Sequence, residues 1–422
     1  MPAREAKRQG TIGNVKRISI EQLGRVFASL PDNPRVVASG NFATPNTLLK
    51  LLDANVDDYI LHMLNAQPGL PNREGVTYET CFVGPGMRRH PRLKYVPSRL
   101  SLVPELFRRD LRPDAVLLHA SAQRFDTVSL GIEVNVLPAA IEAAKEYGAP
   151  VIVQSNPNMP YTYGDAQLYE HEIDFLVEAE EPIVTHKPKH PGHIAEQIGE
   201  IIAHHVSDGS TLQLGIGAVP DAVLRNLLDR RKLRIWTEMF PDGVLELYRR
   251  GALDDDIPLT SSFLFGSQDL YDFVHLNRRV RMLRTEVTND PARIARRPLM
   301  TSVNAALQVD LFDQANSSRI NRRIYSGFGG SVDFVVGALH SRGGASYIAL
   351  PSWHHKAEVS TIVPRLEEPV TSFQHSAVVT EQGLAKVWGL DQKDQAHSII
   401  DNAAHPSVRE ELREAAAAMG LT

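Results

Sequence analysis

Short apolar runs alternate with amphipathic stretches along most of the chain. RVVASG (35–40), AVLLHA (115–120) and VIVQSN (151–156) read as buried strands, and Pro45 opens a helical pattern in NTLLKLLD. LPAAIEAAKEYGAP reads as a helix stopped at Gly148. Strands alternating with helices predict βαβ units and so an α/β fold with mostly parallel sheets. The rhythm breaks over EPIVTHKPKHPGH (181–193), where three prolines and a glycine mark a linker. It then restarts as helix IAEQIGEIIAHH, strand TLQLGIG, helix DAVLRNLLD and strand LRIWTEM. The pattern predicts two domains, 1–187 and 188–422, each long enough for its own core. The stretches VVASGNFATPNTLLKLLD and LQLGIGAVPDAVLRNLLD share one plan: strand, glycine turn, proline, amphipathic helix.

Composition narrows the class. The 422 residues are 43% hydrophobic and 23% charged, ordinary for a soluble protein. A net charge of -5 gives no general pull towards nucleic acid. The one cysteine, Cys81, rules out an intrachain disulfide framework and fits a reducing compartment. The start, MPAREAKRQG, is basic and polar without a following apolar core, and no run approaches the ~18 apolar residues of a membrane span. The expectation is a cytoplasmic protein with neither nucleic acid nor membrane as partner.

Three segments could carry chemistry. In IWTEMFPDGVLEL (235–247), Glu238 stands where a strand ends on a loop, the position at which α/β proteins keep their sites; it reads equally as a helix cap or a surface charge. LGIGAVP places Gly215 and Gly217 in a strand-to-helix turn whose N–H groups can face an anion; it lacks the third glycine of a dinucleotide fingerprint, which argues against a dehydrogenase. YSGFGGSVDFVVGALH sets Gly327, Gly329 and Gly330 before a helix, where backbone can approach a ligand, and Asp333 in the first turn suits the helix dipole. GMRRHPRLKYVPSR is the densest basic stretch; Arg88, Arg89, Arg92, Lys94 and Arg99 could hold phosphates or a carboxylate, or form a solvated loop. No metal site is expected, because Pro188 and Pro191 keep His186, His190 and His193 off a common helix face and no HExxH or Cys/His cluster occurs. No GxSxG elbow occurs, and Cys81 has no defined base.

Taken in order, LGIGAVPDAVL, TEMFPDGVLEL, FGSQDLYDFV, SVNAALQVDL, SGFGGSVDFVVGA, STIVPRL, VVTEQGLAKVWG and AHPSVREEL, with FVGPG, SLGIEV and NPNMPYTYGDA nearer the start, resemble the acetyl-CoA hydrolase/transferase family, which includes the 4-hydroxybutyrate and butyryl-CoA:acetate CoA-transferases. The resemblance implies two CoA-transferase-type α/β domains with the active site in the cleft between them. It implies Glu238 as the catalytic residue, the loop from Gly327 to Gly330 against acyl-CoA, and Gly215 and Gly217 near the thioester. It implies an enzyme that moves CoA from an acyl-CoA to a carboxylic acid through a glutamyl anhydride and a glutamyl-CoA thioester, or an acyl-CoA hydrolase using the same glutamate with water. It further implies CoA as substrate and product with no permanently bound cofactor, and a homodimer or larger homo-oligomer. An unperturbed glutamate titrates near ~4.3, so Glu238 is expected to be ionised at neutral pH and to need no general base.

The chain departs from the family pattern at Tyr161 before Thr162, at Ser360-Thr361 before IVP, at Gln382 in VTEQG, and at the bulky Trp353-His354-His355. The first two remove expected arginines, and together the departures predict a bulkier or less polar acyl group.

Overall fold

A computed structural model describes residues 15–187, 190–215, 217–370 and 374–422. Two parallel sheets dominate it. The first has eight strands in the order Lys16–Arg17, Phe175–Glu178, Val151–Asn156, Ala115–Ser121, Arg35–Ala38, Tyr59–His62, Val76–Thr80 and Leu93–Tyr95, all parallel. Its central strands are buried along their whole length, which is why Ala115–Ser121 and Val151–Asn156 read as unbroken rather than alternating runs. The second has six strands, in the order Arg234–Ile235, Thr211–Leu214, Met300–Ala305, Ala345–Ala349, Ala377–Thr380 and Gly383–Lys386, parallel up to the last antiparallel hairpin.

The predicted helices form where the pattern places them. Leu137–Tyr147 ends on Gly148 in the left-handed conformation (φ 73°), which a glycine adopts without side-chain strain. Ala218–Arg225 carries Pro220 in its first turn, where a missing N–H has no intrahelical partner to lose.

The two sheets share a core. One continuous apolar cluster runs from Val37 and Val116 of the first sheet to Leu212, Val303 and Val379 of the second. Backbone pairing also crosses over: Tyr163–Gly164 adds a strand to Val280–Met282, and Glu133 bridges to Phe263. The expected boundary near 188 lies outside the described residues.

The chain therefore presents the carboxyl ends of two parallel sheets to one another. Residues just past strand ends in the first sheet, Asn41, Leu64, Asn65 and Phe82, face Gly215, Glu238, Asn304 and Ala305 of the second. The two similar strand–turn–helix stretches contribute Asn41 and Gly215 from opposite sides of that junction. Leu118, fully buried on a central strand, belongs to the shared core. Leu118→Ala is expected to cost about 2–5 kcal/mol, read as a lower midpoint in urea unfolding; an unchanged midpoint contradicts this placement of the core.

Candidate active site

The strand that starts at Arg234 breaks at Thr237 and Glu238 before resuming as Met239–Phe240. Three donors pin the break from one side: the N–H groups of Ser262 (2.8 Å) and Phe263 (2.9 Å) and the Ser261 hydroxyl (3.0 Å) all reach the Glu238 carbonyl. Thr237 donates its hydroxyl to Leu214 and Met239 carbonyls, tying the break to the neighbouring strand. The Glu238 side chain is thereby turned into a cavity of about 260 Å³ at the junction of the sheets.

Glu238 is the one carboxylate among the described residues that line this cavity, and no Lys, Arg or His lines it. Its walls are largely apolar, from Phe82, Leu100, Met239, Phe263, Phe328 and Phe334. Asn289 Nδ2 donates to Glu238 Oε2 at 2.9 Å. Thr288 donates its hydroxyl to Asn289 Oδ1 at 2.8 Å, and the Trp236 indole donates to the Thr288 carbonyl at 3.0 Å, so the amide is aimed from behind.

The glycine loop closes the other side. A methyl group on Gly330 would overlap Glu238 Oε2 and Asn289 Nδ2, so only glycine leaves room for this carboxylate. Gly327 lies against the Cys81 carbonyl, and Gly329, at φ 58°, lies against the Phe82 ring. Leu100 N–H to Gly329 O (2.9 Å) and Val83 N–H to Ser326 O (2.8 Å) fasten the loop to the first half of the chain. Among the described residues the N–H groups of Gly329 and Gly330 have no backbone acceptor, and the helix Ser331–His340 begins directly after them. Asp333, in its first turn, is fully buried and accepts from the Ser101 hydroxyl (2.8 Å) and N–H (3.2 Å), with Arg99 at 3.6 Å; it ties the halves together besides sitting at the helix end.

Burial corrects the expected ionisation of Glu238. The side chain is half-buried, with one side open to the cavity; the protein packed around it desolvates the carboxyl and pushes its pKa up to about 7, against the Asn289 hydrogen bond and with the Asp333 charge adding to the rise. Glu238 is therefore not simply a surface-like, fully ionised carboxylate at neutral pH. Glu133, a residue the sequence reading passed over inside SLGIEV, lies behind the cavity wall, fully buried. It accepts from Asn41 Nδ2 at 2.7 Å, and Asn41 in turn accepts from Asn65 at 2.9 Å. Burial pushes Glu133 up to about 8, and the nearby Glu238 charge acts in the same direction. Asn135 lines the cavity with its Oδ1 buried and unpartnered. Isolated asparagines in loops carry no periodic signal; only their proximity to strand ends could have pointed to them.

The structure brings Glu238, Gly215, Gly327, Gly329 and Gly330 to one cavity. Gly217 it places elsewhere, on a separate cavity with His186, Asp221 and Asp242, because the chain turns there into the helix Ala218–Arg225. The departures expected to set acyl preference lie away from the cavity as well. Tyr161 is buried with its hydroxyl 2.6 Å from Thr127, Trp353 packs on His405, and Gln382 lies beside Ser352 and Glu381. The wall residues named above, not those positions, shape the space beside Glu238. Among the described residues no three metal-ligating side chains cluster, and no helix is long and apolar enough to cross a membrane.

Residues 266–416 match the family described as the acetyl-CoA hydrolase/transferase C-terminal domain. Over 411 residues the chain is 36% identical to a 4-hydroxybutyrate coenzyme A transferase of Clostridium kluyveri, covering 92% of this chain and 95% of that one. It is 30% identical over 313 residues to an acetyl-CoA hydrolase of Candida albicans, covering 67% of this chain and 58% of that one. Its fold superposes on the crystal structure of a 4-hydroxybutyrate CoA-transferase of Porphyromonas gingivalis with a TM-score of 0.80 and 29% identity, over 96% of this chain and 97% of that one.

A buried acid whose pKa is raised on folding contributes stability that is complete below the unfolded value and is lost as pH rises through the folded one. For Glu133 that window runs from 4.5 to about 8. Glu133→Gln, neutral throughout, is expected to lose less thermal stability between about pH 5 and 8 than the parent; equal slopes in melting temperature against pH contradict the assignment.

Proposed function

The chain belongs to the acetyl-CoA hydrolase/transferase family, and from that premise we propose that it is a CoA-transferase with Glu238 as its nucleophile. The observation that carries this reading is the single carboxylate in an apolar cavity, held against Gly330 and Asn289. The ionised Glu238 attacks the thioester carbonyl of an acyl-CoA; the carbon–sulfur bond breaks and the CoA thiolate leaves, giving a mixed glutamyl anhydride. The thiolate then attacks the glutamyl carbonyl, expelling the acyl carboxylate and forming a glutamyl-CoA thioester. A second carboxylate attacks that thioester and the sequence runs in reverse, returning Glu238 and a new acyl-CoA. Each step passes an oxyanion, and we assign its stabilisation to the N–H groups of Gly329 and Gly330, which have no backbone acceptor among the described residues and precede the helix Ser331–His340. CoA is substrate and product; the chemistry calls for no resident cofactor.

The absence of a cation among the described lining residues favours an uncharged acyl tail. The same glutamate serves an acyl-CoA hydrolase if water takes the place of the second acid, a reading that similarity to an acetyl-CoA hydrolase keeps in play. The phenylalanines of the wall favour transfer in this reading, since apolar lining holds water less well beside an anhydride than polar lining does.

The test mixes acyl-CoA with short carboxylic acids. Acid-dependent formation of a new acyl-CoA supports transfer; CoA release without acceptor supports hydrolysis. Glu238→Gln is expected to abolish either activity in a folded protein. For the parent, kcat/KM for acyl-CoA is expected to rise with pH through about 7 and then level, because the nucleophile is the deprotonated carboxyl. A profile flat across that range contradicts Glu238 as the titrating group.

A further inference from the structure

Five amide side chains line the reaction cavity: Asn41, Asn65, Asn135, Gln213 and Asn304. Four of them are tied to protein. Asn41 donates to Glu133, Asn65 donates to Asn41, and Gln213 and Asn304 meet at the Ser302 hydroxyl. Asn135 differs. It is 2% exposed, its Oδ1 is buried without a partner, and neither amide atom is held by protein among the described residues. A buried amide in this state forgoes hydrogen bonds that a ligand can supply.

The backbone of Asn135, by contrast, is fixed. Its φ is 41°, a left-handed conformation that asparagine tolerates better than most residues. Its N–H donates to the Ser262 carbonyl at 3.2 Å, and its carbonyl accepts from the Thr285 N–H at 3.0 Å. With both amide atoms free, the side chain turns about its last bond without breaking a hydrogen bond. Either the oxygen or the nitrogen can then be presented to the cavity.

Both anchors also serve Glu238. Ser262 donates its N–H to the Glu238 carbonyl at 2.8 Å, and the turn that starts at Thr285 leads to Asn289, whose amide bonds the carboxylate. Ser262 therefore lies between the two chains. Two spacings of about 4.8 Å put the Asn135 backbone within about 10 Å of the Glu238 backbone. Both side chains line the same cavity from there. The Asn135 amide thus stands beside the first carbons of an acyl group carried on Glu238, not at the far end of a long chain.

We propose that Asn135 is a specificity-determining residue, selecting acyl groups that carry a hydroxyl on the second or third carbon. The hydroxyl donates to Oδ1 or accepts from Nδ2 and completes the one open amide of the wall. A plain alkyl chain leaves that amide unpaired, and a site built to bond a hydroxyl discriminates against the analogue that lacks it. The inference rests on the reading of acyl-CoA as substrate.

The test compares 2-, 3- and 4-hydroxybutyryl-CoA with butyryl-CoA. The parent is expected to favour the 2- or the 3-hydroxy thioester over butyryl-CoA about tenfold or more in kcat/KM, and the 4-hydroxy isomer by less. Asn135→Gly removes the amide and suits the positive φ. In that variant the preference is expected to fall to about threefold or less. Equal kcat/KM for the hydroxylated and plain thioesters in the parent overturns the proposal. So does a preference for the 4-hydroxy isomer over the other two, or a preference that Asn135→Gly leaves intact. The parent's own ratios decide the matter should the variant not fold. The ratio is read alike whether an acid or water completes the turnover, and as a ratio of Kd by calorimetry where turnover is stopped with Glu238→Gln. Retained turnover in Glu238→Gln leaves the Asn135 ratio standing, and an absent ratio leaves Glu238 its role, so the two readings fail separately.

Discussion

A half-buried carboxylate faces an apolar cavity at the junction of two sheets, and no cation lines that cavity among the described residues. Desolvation of such a group is costly, and among the described residues the one hydrogen bond to the Glu238 carboxylate comes from Asn289. The surrounding structure supplies rigidity instead of charge. Three donors fix the Glu238 carbonyl, the Trp236 indole and the Thr288 hydroxyl fix the Asn289 amide, and Gly330 leaves the carboxylate just enough room. A carboxylate under-solvated in this way is a stronger nucleophile than one in water, and it forfeits little when it becomes an uncharged anhydride or thioester.

The two halves are joined by the same parts that form the site. The glycine loop is bonded to Val83 and Leu100 of the first half, and Asp333 at the start of the following helix is bonded to Ser101. The cavity wall and the joint between the halves therefore share residues: Phe82 packs on Gly329 while it walls the cavity.

Much of the fold was legible because parallel strands buried on both faces leave unbroken apolar runs, as in Val151–Asn156, and because Gly148 and Pro220 mark a helix end and a helix start. The position of Glu238 was legible for a related reason, as a polar residue where an apolar strand ends on a loop. Its ionisation was not, since that depends on what packs around it across some two hundred residues of sequence. Gly217, which the family resemblance set beside Gly215, lines a separate cavity instead of the one that holds Glu238. Asn41, Glu133, Asn135 and Asn289 come together only in three dimensions. The departures at Tyr161, Gln382 and Trp353 looked relevant because they differ from a pattern, yet they pack away from the cavity.

The central claim is that Glu238 itself carries the group being moved. Incubation with acyl-CoA alone, reduction with borohydride and peptide mass spectrometry read this directly. The account predicts a mass change at Glu238, the glutamyl thioester having been reduced to an alcohol. Reduction at any other carboxylate, with Glu238 unmodified in an active preparation, contradicts it.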